Sequence, residues 1–250
     1  TLNRPEAKNA FSPEMLLGMY KAWRRLEEDE ELYCAILTAN GDTFCAGMDL
    51  KAGAEGQQRS TEEFMAVMAE VPNVHWQALL RDNRPNKPLI LAVEGYALAG
   101  GTEILQGTDI RVAADNAVFG ITEVARGLYP MSGSTVRLRR QIPYCLAAEM
   151  LLCGEHMSAR RALEIGLINR VVPAGQTLAA AREYAAKICA NGPLAVRAVT
   201  QSLREHQECM AEADAMVASD ELAGPVFASS DAREGMRAFK EKRAAVFTGK

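Results

Sequence analysis

Residues 94–105 read EGYALAGGTEIL, and the class of the fold turns on them. They follow the apolar run Leu89–Val93, which is too short for a helix and has no polar alternation, the pattern of a buried strand. Ala97, Ala99, Gly100 and Gly101 then bring small residues together ahead of Thr102, Glu103 and an apolar pair, so the chain leaves a strand and enters a helix at once. A second stretch of this kind, GDTFCAGMDLK at 41–51, follows the apolar run Tyr33–Thr38. Further strands are predicted at Asp109–Ala113 and Ala117–Phe119. Ser12 and Pro13 signal a helix start, and Met15, Met19, Trp23 and Leu26 continue at helical spacing to about Glu30. Another helical stretch, with Phe64, Met65, Met68 and Val71 on one side, follows the polar residues 53–60, which read as mobile; Met65 and Met68 fit a core better than an acyl channel. From Ser134 onward helices dominate: one capped by Ser158 and ended by Gly166, one over Gln176–Ala190, and one from Pro193 to roughly Ser219. Strands and helices mixed first, helices afterwards, make an α/β protein.

Length and composition narrow the class of function. A chain of 250 residues, 48% hydrophobic and 24% charged, can bury a large core without cross-links and is not disordered. With 28 basic and 32 acidic residues the net charge is −4, which argues against nucleic acid as a partner. The run at Leu89–Val93 stops at Glu94, far short of the roughly 18 residues of a spanning helix, so no membrane partner is expected. Six cysteines without a C-x-x-C pair suit a reducing compartment, and the protein reads as intracellular, in the cytoplasm. The opening TLNRP resembles the end of a strand, so upstream residues, with any targeting signal, are expected to be missing from this sequence.

Chemistry is expected where free backbone N–H groups meet carboxylates. Gly100 and Gly101 place such donors beside Glu103 in the first turn of a helix, where negative charge is favoured. Neither G-x-G-x-x-G nor G-x-x-x-x-G-K-[ST] is present, which disfavours dinucleotide and phosphate loops. Glu123 comes twenty residues after Glu103, just past a short strand. Two carboxyls over one ligand can divide acid and base work, although a first-turn Glu also simply complements a helix dipole. His75, His156 and His206 are too scattered for a metal site, Cys45 reads as a small buried residue, and no G-x-S-x-G string supports a serine thioesterase.

The strings NRPEAKNAF (3–11), FCAGMDLK (44–51), AVEGYALAGGTEIL (92–105), FGITEVARGLYP (119–130), GEHMSARRALEIGLINRVVP (154–173) and EGMRAFKEKRAAVF (234–247) resemble, in order and spacing, the enoyl-CoA hydratase/isomerase (crotonase) superfamily. The resemblance implies a crotonase-type spiral of β-β-α repeats over 1–190 and a helical C-terminal region, 191–250, that trimerises and contacts coenzyme A. It implies a homotrimer or homohexamer, and no cofactor beyond the coenzyme A that enters with an acyl-CoA thioester substrate. By resemblance, the main-chain N–H groups of Met48 and Gly100 form the oxyanion hole. Glu103 and Glu123 match the two hydratase glutamates, one activating water for C3 and the other handling the proton at C2. Coenzyme A contacts map to Ala7, Ala46, Asp49, Leu50, Lys51, Phe239 and Lys242, the last two reaching a neighbouring subunit. Six basic against two acidic residues over 233–250 agree with an anionic ligand there, or with a solvated helix face.

Three positions depart from the commoner hydratase pattern: Met131 after Pro130, Arg126 one turn past Glu123, and Ser134 in place of the second glycine of a pair. A nearby Arg126 is expected to hold Glu123 ionised. With both glutamates kept, hydration of a 2-enoyl-CoA is the favoured expectation. An isomerase moving the double bond between positions 3 and 2, a hydratase-lyase on an unusual acyl group, and an idle acyl-CoA binder are the alternatives.

Overall fold

A computed structural model describes residues 1–49, 62–71, 73–205, 221, 224–241 and 243–250, with backbone alone at 205, 239 and 240. Among the described residues, eight strands occur in order: β1 Ala35–Leu37, β2 Thr43–Cys45, β3 Leu89–Val93, β4 Tyr96–Leu98, β5 Ile110–Ala114, β6 Val118–Gly120, β7 Met157–Ser158 and β8 Arg170–Val172. They deal alternately into two sheets, β1-β3-β5-β8 and β2-β4-β6-β7. Pairing is parallel throughout the first sheet, with Ile36 opposite Ile90 and Ala92 opposite Val112. In the second sheet only β7 runs antiparallel, against β6. Each pass of the chain thus lays one strand in either sheet before moving along by one strand spacing, about 4.8 Å, which is a spiral of β-β-α turns.

The β3 sequence LILAV shows why the run is apolar without alternation. Leu89, Leu91 and Val93 face the main core with Phe11, Phe44, Leu105 and Phe119, whereas Ile90 and Ala92 face the helix Thr177–Cys189 through Ala181. Both faces are covered, as a central parallel strand requires. The helix Pro13–Glu28 begins as its cap signal predicts, Ser12 Oγ accepting from Met15 N–H, and it buries Leu16, Leu17, Met19, Trp23 and Leu26. Trp23 donates its ring N–H to the Ala78 carbonyl at 2.8 Å, which joins this helix to Val74–Ala78. Ser158 caps Ala159–Glu164 in the same manner.

Some expectations need correction. The strand predicted over 33–38 is confined to β1, and although helices dominate from Ser134 onward, two short strands not predicted there, β7 and β8, complete the two sheets. Strands β2 and β4, not predicted as strands, lie within the glycine-bearing stretches themselves. On the helix Glu62–Glu70, Phe64 is buried, but Met65 and Met68 are 55% and 37% exposed, so neither is core. The residues 53–60, and the helix from Pro193 beyond Glu205, lie outside the described residues.

Candidate active site

Three adjacent parallel strands of the second sheet end at one place, and each delivers a different part of the site. After β2, Cys45 accepts the Gly47 N–H on Sγ at 3.3 Å, and Phe11 pairs with Met48 through Phe11 N to Gly47 O and Asp49 N to Phe11 O. In such a parallel bridge the N–H of Met48 itself faces the other way. Gly47 adopts φ +93°, and a Cβ on it would stand 2.8 Å from the Ala99 Cβ and 3.4 Å from Gly100 N. This close approach brings the Met48 turn against the start of the next one.

After β4, Ala99 takes φ 51° and ψ −124°, a conformation that costs an L-residue on the order of 1–3 kcal/mol. It is held by Ala99 N–H donating to Gly120 O at 2.7 Å across to β6. The helix Gly100–Glu103 starts immediately afterwards, packed so tightly on β2 that a Cβ on Gly101 would lie 2.5 Å from the Cys45 carbonyl oxygen. Among the described residues, no hydrogen bond is made by the N–H of Met48 or of Gly100. Thr102, fully buried, ties β4 to β6 by donating to Ala97 O and accepting from Gly120 N–H at 3.0 Å.

Glu103 is 3% exposed. Its Oε1 accepts from Ser132 N–H at 3.0 Å and from Ser134 N–H at 3.4 Å, donors that match a carboxylate. Ser134 is fixed in turn by Gln106, whose Nε2 donates to Ser134 Oγ at 2.7 Å, and both residues are buried. Glu123 stands after β6, just before the 3-10 turn Val124–Arg126, and its Oε2 is buried with no hydrogen-bond partner among the described residues. Burial first, and then the charge of Glu103 and its capacity to accept the Glu123 proton, raise Glu123 from 4.5 to about 7. Arg126 opposes that rise only weakly. The expectation that it keeps Glu123 ionised is therefore corrected: it is exposed, its Nη1 reaches Thr122 O at 3.4 Å, and burial with Glu103 outweighs it.

The structure brings Met48, Gly100, Glu103 and Glu123 together at the ends of β2, β4 and β6. Of the expected coenzyme A contacts, Ala46 N–H donates to the Lys8 carbonyl next to Ala7, so these two lie side by side. The Asp49 carboxylate is ion-paired with Arg4 at 2.8 Å. Leu50, Lys51, Lys242 and the Phe239 side chain lie outside the described residues. Among the described residues, Arg237 and Arg243 are engaged within the tail itself, because both bind Glu234, and Arg243 also binds Glu241. Met131 is 49% exposed. Cys45 is buried and its thiol pushed up to about 12 by that burial, an inert side chain as the sequence suggests. Among the described residues, no three His, Cys, Asp or Glu side chains are grouped as a metal would require. Sequence reasoning missed Ser132, Thr102 and Gln106, which carry no motif and act through contacts set by the fold.

The profile of the enoyl-CoA hydratase/isomerase family matches residues 1–250. The chain is 53% identical over 247 residues to enoyl-CoA hydratase EchA19 of Mycobacterium tuberculosis, covering 99% of this chain and 91% of that protein. It is 35% identical over 250 residues to 2,3-dehydroadipyl-CoA hydratase of Escherichia coli, covering 100% and 94%. The crystal structure of enoyl-CoA hydratase EchA1 from Mycobacterium marinum superposes with a TM-score of 0.88 at 42% identity, covering 99% of this chain and 93% of that one. That of enoyl-CoA hydratase from Bacillus anthracis gives 0.88 at 32% identity, covering 100% and 94%. A two-sheet spiral with paired glutamates at the ends of its second sheet, matched over its full length by this profile and these relatives, belongs to the enoyl-CoA hydratase/isomerase family.

Proposed function

We propose that this protein is an enoyl-CoA hydratase that adds water reversibly, in the syn sense, across the 2,3 double bond of a 2-enoyl-CoA to give a 3-hydroxyacyl-CoA. The observation that carries the reading is the unequal carboxyl pair: Glu103 held by two main-chain N–H donors, and Glu123 raised to about 7 beside it with an oxygen left over. A carboxyl whose surroundings favour its protonated form, beside a second one bound by N–H donors, suits the acid half of a divided acid and base role. In this reading Glu103 takes a proton from water as the oxygen attacks C3. The thioester oxygen gathers the displaced charge as an enolate between the N–H groups of Met48 and Gly100, each worth on the order of 3 kcal/mol. Glu123 delivers its proton to C2, and exchange of a proton between the two carboxyls resets the pair. Water enters whole and no electrons leave, so the balance calls for no cofactor.

The coenzyme A portion is proposed to run past Ala7, Ala46, Asp49, Leu50 and Lys51, with Phe239 and Lys242 serving a neighbouring subunit. The division into a core over 1–190 and a helical region over 191–250, the homotrimer or homohexamer, and the cytoplasmic setting belong to the same proposal. Among the described residues no helix is long and apolar enough to cross a membrane.

Loss of enoyl absorbance with crotonyl-CoA, and with longer and aromatic 2-enoyl-CoAs, tests the reading. Glu103→Gln and Glu123→Gln should each lower kcat at least a hundredfold, with acyl-CoA binding retained. Unchanged hydration in both variants would overturn the mechanism. Isomerisation without hydration in the wild type would replace the reading with the isomerase alternative.

A further inference from the structure

Cys34 Sγ and Cys189 Sγ lie 3.9 Å apart, although 155 residues separate them. Cys34 is half-buried immediately before β1, at the edge of the first sheet, and Cys189 is the exposed last residue of the helix Thr177–Cys189. Packing holds both neighbourhoods: Cys34 and Ile36 on one side and Tyr184, Ala185 and Ile188 on the other enclose Ile90, Ala92 and Ala181. A disulfide bond is about 2.05 Å long, so the two sulfurs need to close by roughly 1.9 Å, within reach of side-chain rotation and a small backbone shift. The other described cysteines are different. Cys145 and Cys153 stand exposed at the two ends of one helix, and Cys45 is sealed in the core.

We propose that Cys34 and Cys189 are a redox-active pair that closes to a disulfide on meeting a small disulfide oxidant such as oxidised glutathione, stapling the edge strand β1 to the end of the helix Thr177–Cys189. The exposed Cys189 is the entry point. Its thiolate attacks one sulfur of oxidised glutathione, expels one glutathione thiolate and becomes a mixed disulfide. Cys34 then loses its proton and attacks Cys189 Sγ, the mixed disulfide breaks, and a second glutathione leaves. The protein gives up two electrons and two protons, and one oxidised glutathione becomes two reduced ones. Burial, followed by the charge and hydrogen bonding of Cys189, pushes the Cys34 thiol up to about 12, which disfavours Cys34 as the first nucleophile. Once Cys189 carries glutathione its own charge is gone, and one cause of that rise with it.

The test is a peptide map of the full chain incubated with oxidised glutathione, alkylated and digested without reductant. A Cys34–Cys189 peptide that dithiothreitol separates is expected, together with a melting temperature raised by roughly 5–10 °C because the cross-link closes a long loop. Cys34→Ser and Cys34→Ala should accumulate a stable glutathione adduct on Cys189, which the wild type does not. Two alkylated thiols in the treated wild type, or glutathione retained on Cys189 without closure, would overturn the proposal. These readouts do not depend on enoyl-CoA turnover, so they stand apart from the hydratase reading.

Discussion

At the scale of single residues, the site works because groups remote in sequence fix the orientation of its carboxyls. Gln106 is the clearest case. Its side chain donates to Ser134 Oγ, and the Ser134 N–H donates to Glu103, so a buried amide steadies the loop that steadies the Glu103 carboxyl. Replacing Gln106 with Leu should remove one buried hydrogen bond, on the order of 1 kcal/mol, and lower kcat two- to tenfold with KM nearly unchanged. Steady-state kinetics on a 2-enoyl-CoA check this; a change confined to KM would place Gln106 in ligand binding instead. A second expectation follows from Glu123. The pair must hold one proton in either direction of the reversible reaction, so with Glu123 titrating near 7, kcat/KM for hydration and for dehydration of the 3-hydroxyacyl-CoA should fall together as pH rises through about 7, and hydration unchanged across that range would remove Glu123 from the proton transfer. Glu103 was legible as a carboxylate beside paired glycines and Glu123 as one just past a short strand, and the family resemblance joined them as a pair. Their inequality was not legible, because it depends on burial and on two N–H donors 29 and 31 residues away from Glu103. Arg126, adjacent in sequence, misled for the same reason: a charge near in sequence loses to desolvation near in space.

Elements were legible where local rules suffice. The Ser12-Pro13 start, the Ser158 cap and the unbroken β3 run all follow from capping and burial, and all three occur in the structure. Strands β2 and β4 were hidden because three residues carry no period, and their Thr, Cys and Ala residues are strands only by virtue of their neighbours. The start of the helix Thr177–Cys189 shows the same limit. Gln176 at its N-cap makes no side-chain cap bond; instead Glu94, at the end of β3, accepts from Gly175 N–H, Thr177 N–H and, at 2.6 Å, Thr177 Oγ1. A cap supplied from 83 residues away has no sequence signature. Glu94→Ala should therefore cost about 1–2 kcal/mol in urea unfolding, while Glu94→Gln, which keeps an acceptor, should cost less. Equal losses in both would mean that the charge against the helix dipole, rather than the hydrogen bonds, carries the effect.

For the whole molecule, the spiral places the Glu123 carboxyl where folding disfavours the charged form, so this position draws on global stability. Glu123 titrates near 4.5 when unfolded and near 7 when folded. Below pH 4.5 it is protonated in both states and adds no penalty. Between 4.5 and 7 the folded state binds the proton more than the unfolded state does, so this group lowers stability as pH rises, and above 7 the loss is complete. Glu123 is only partly buried, and solvent screening reduces the size of this effect. Glu123→Gln removes the titration while keeping the shape. The variant should melt at nearly the same temperature as the wild type near pH 4.5 and a few degrees higher at pH 8, with the gap opening between those values. Melting curves across that range decide the point: a gap that does not change with pH would show that Glu123 has the same affinity for a proton in both states, and that its inequality with Glu103 has another origin.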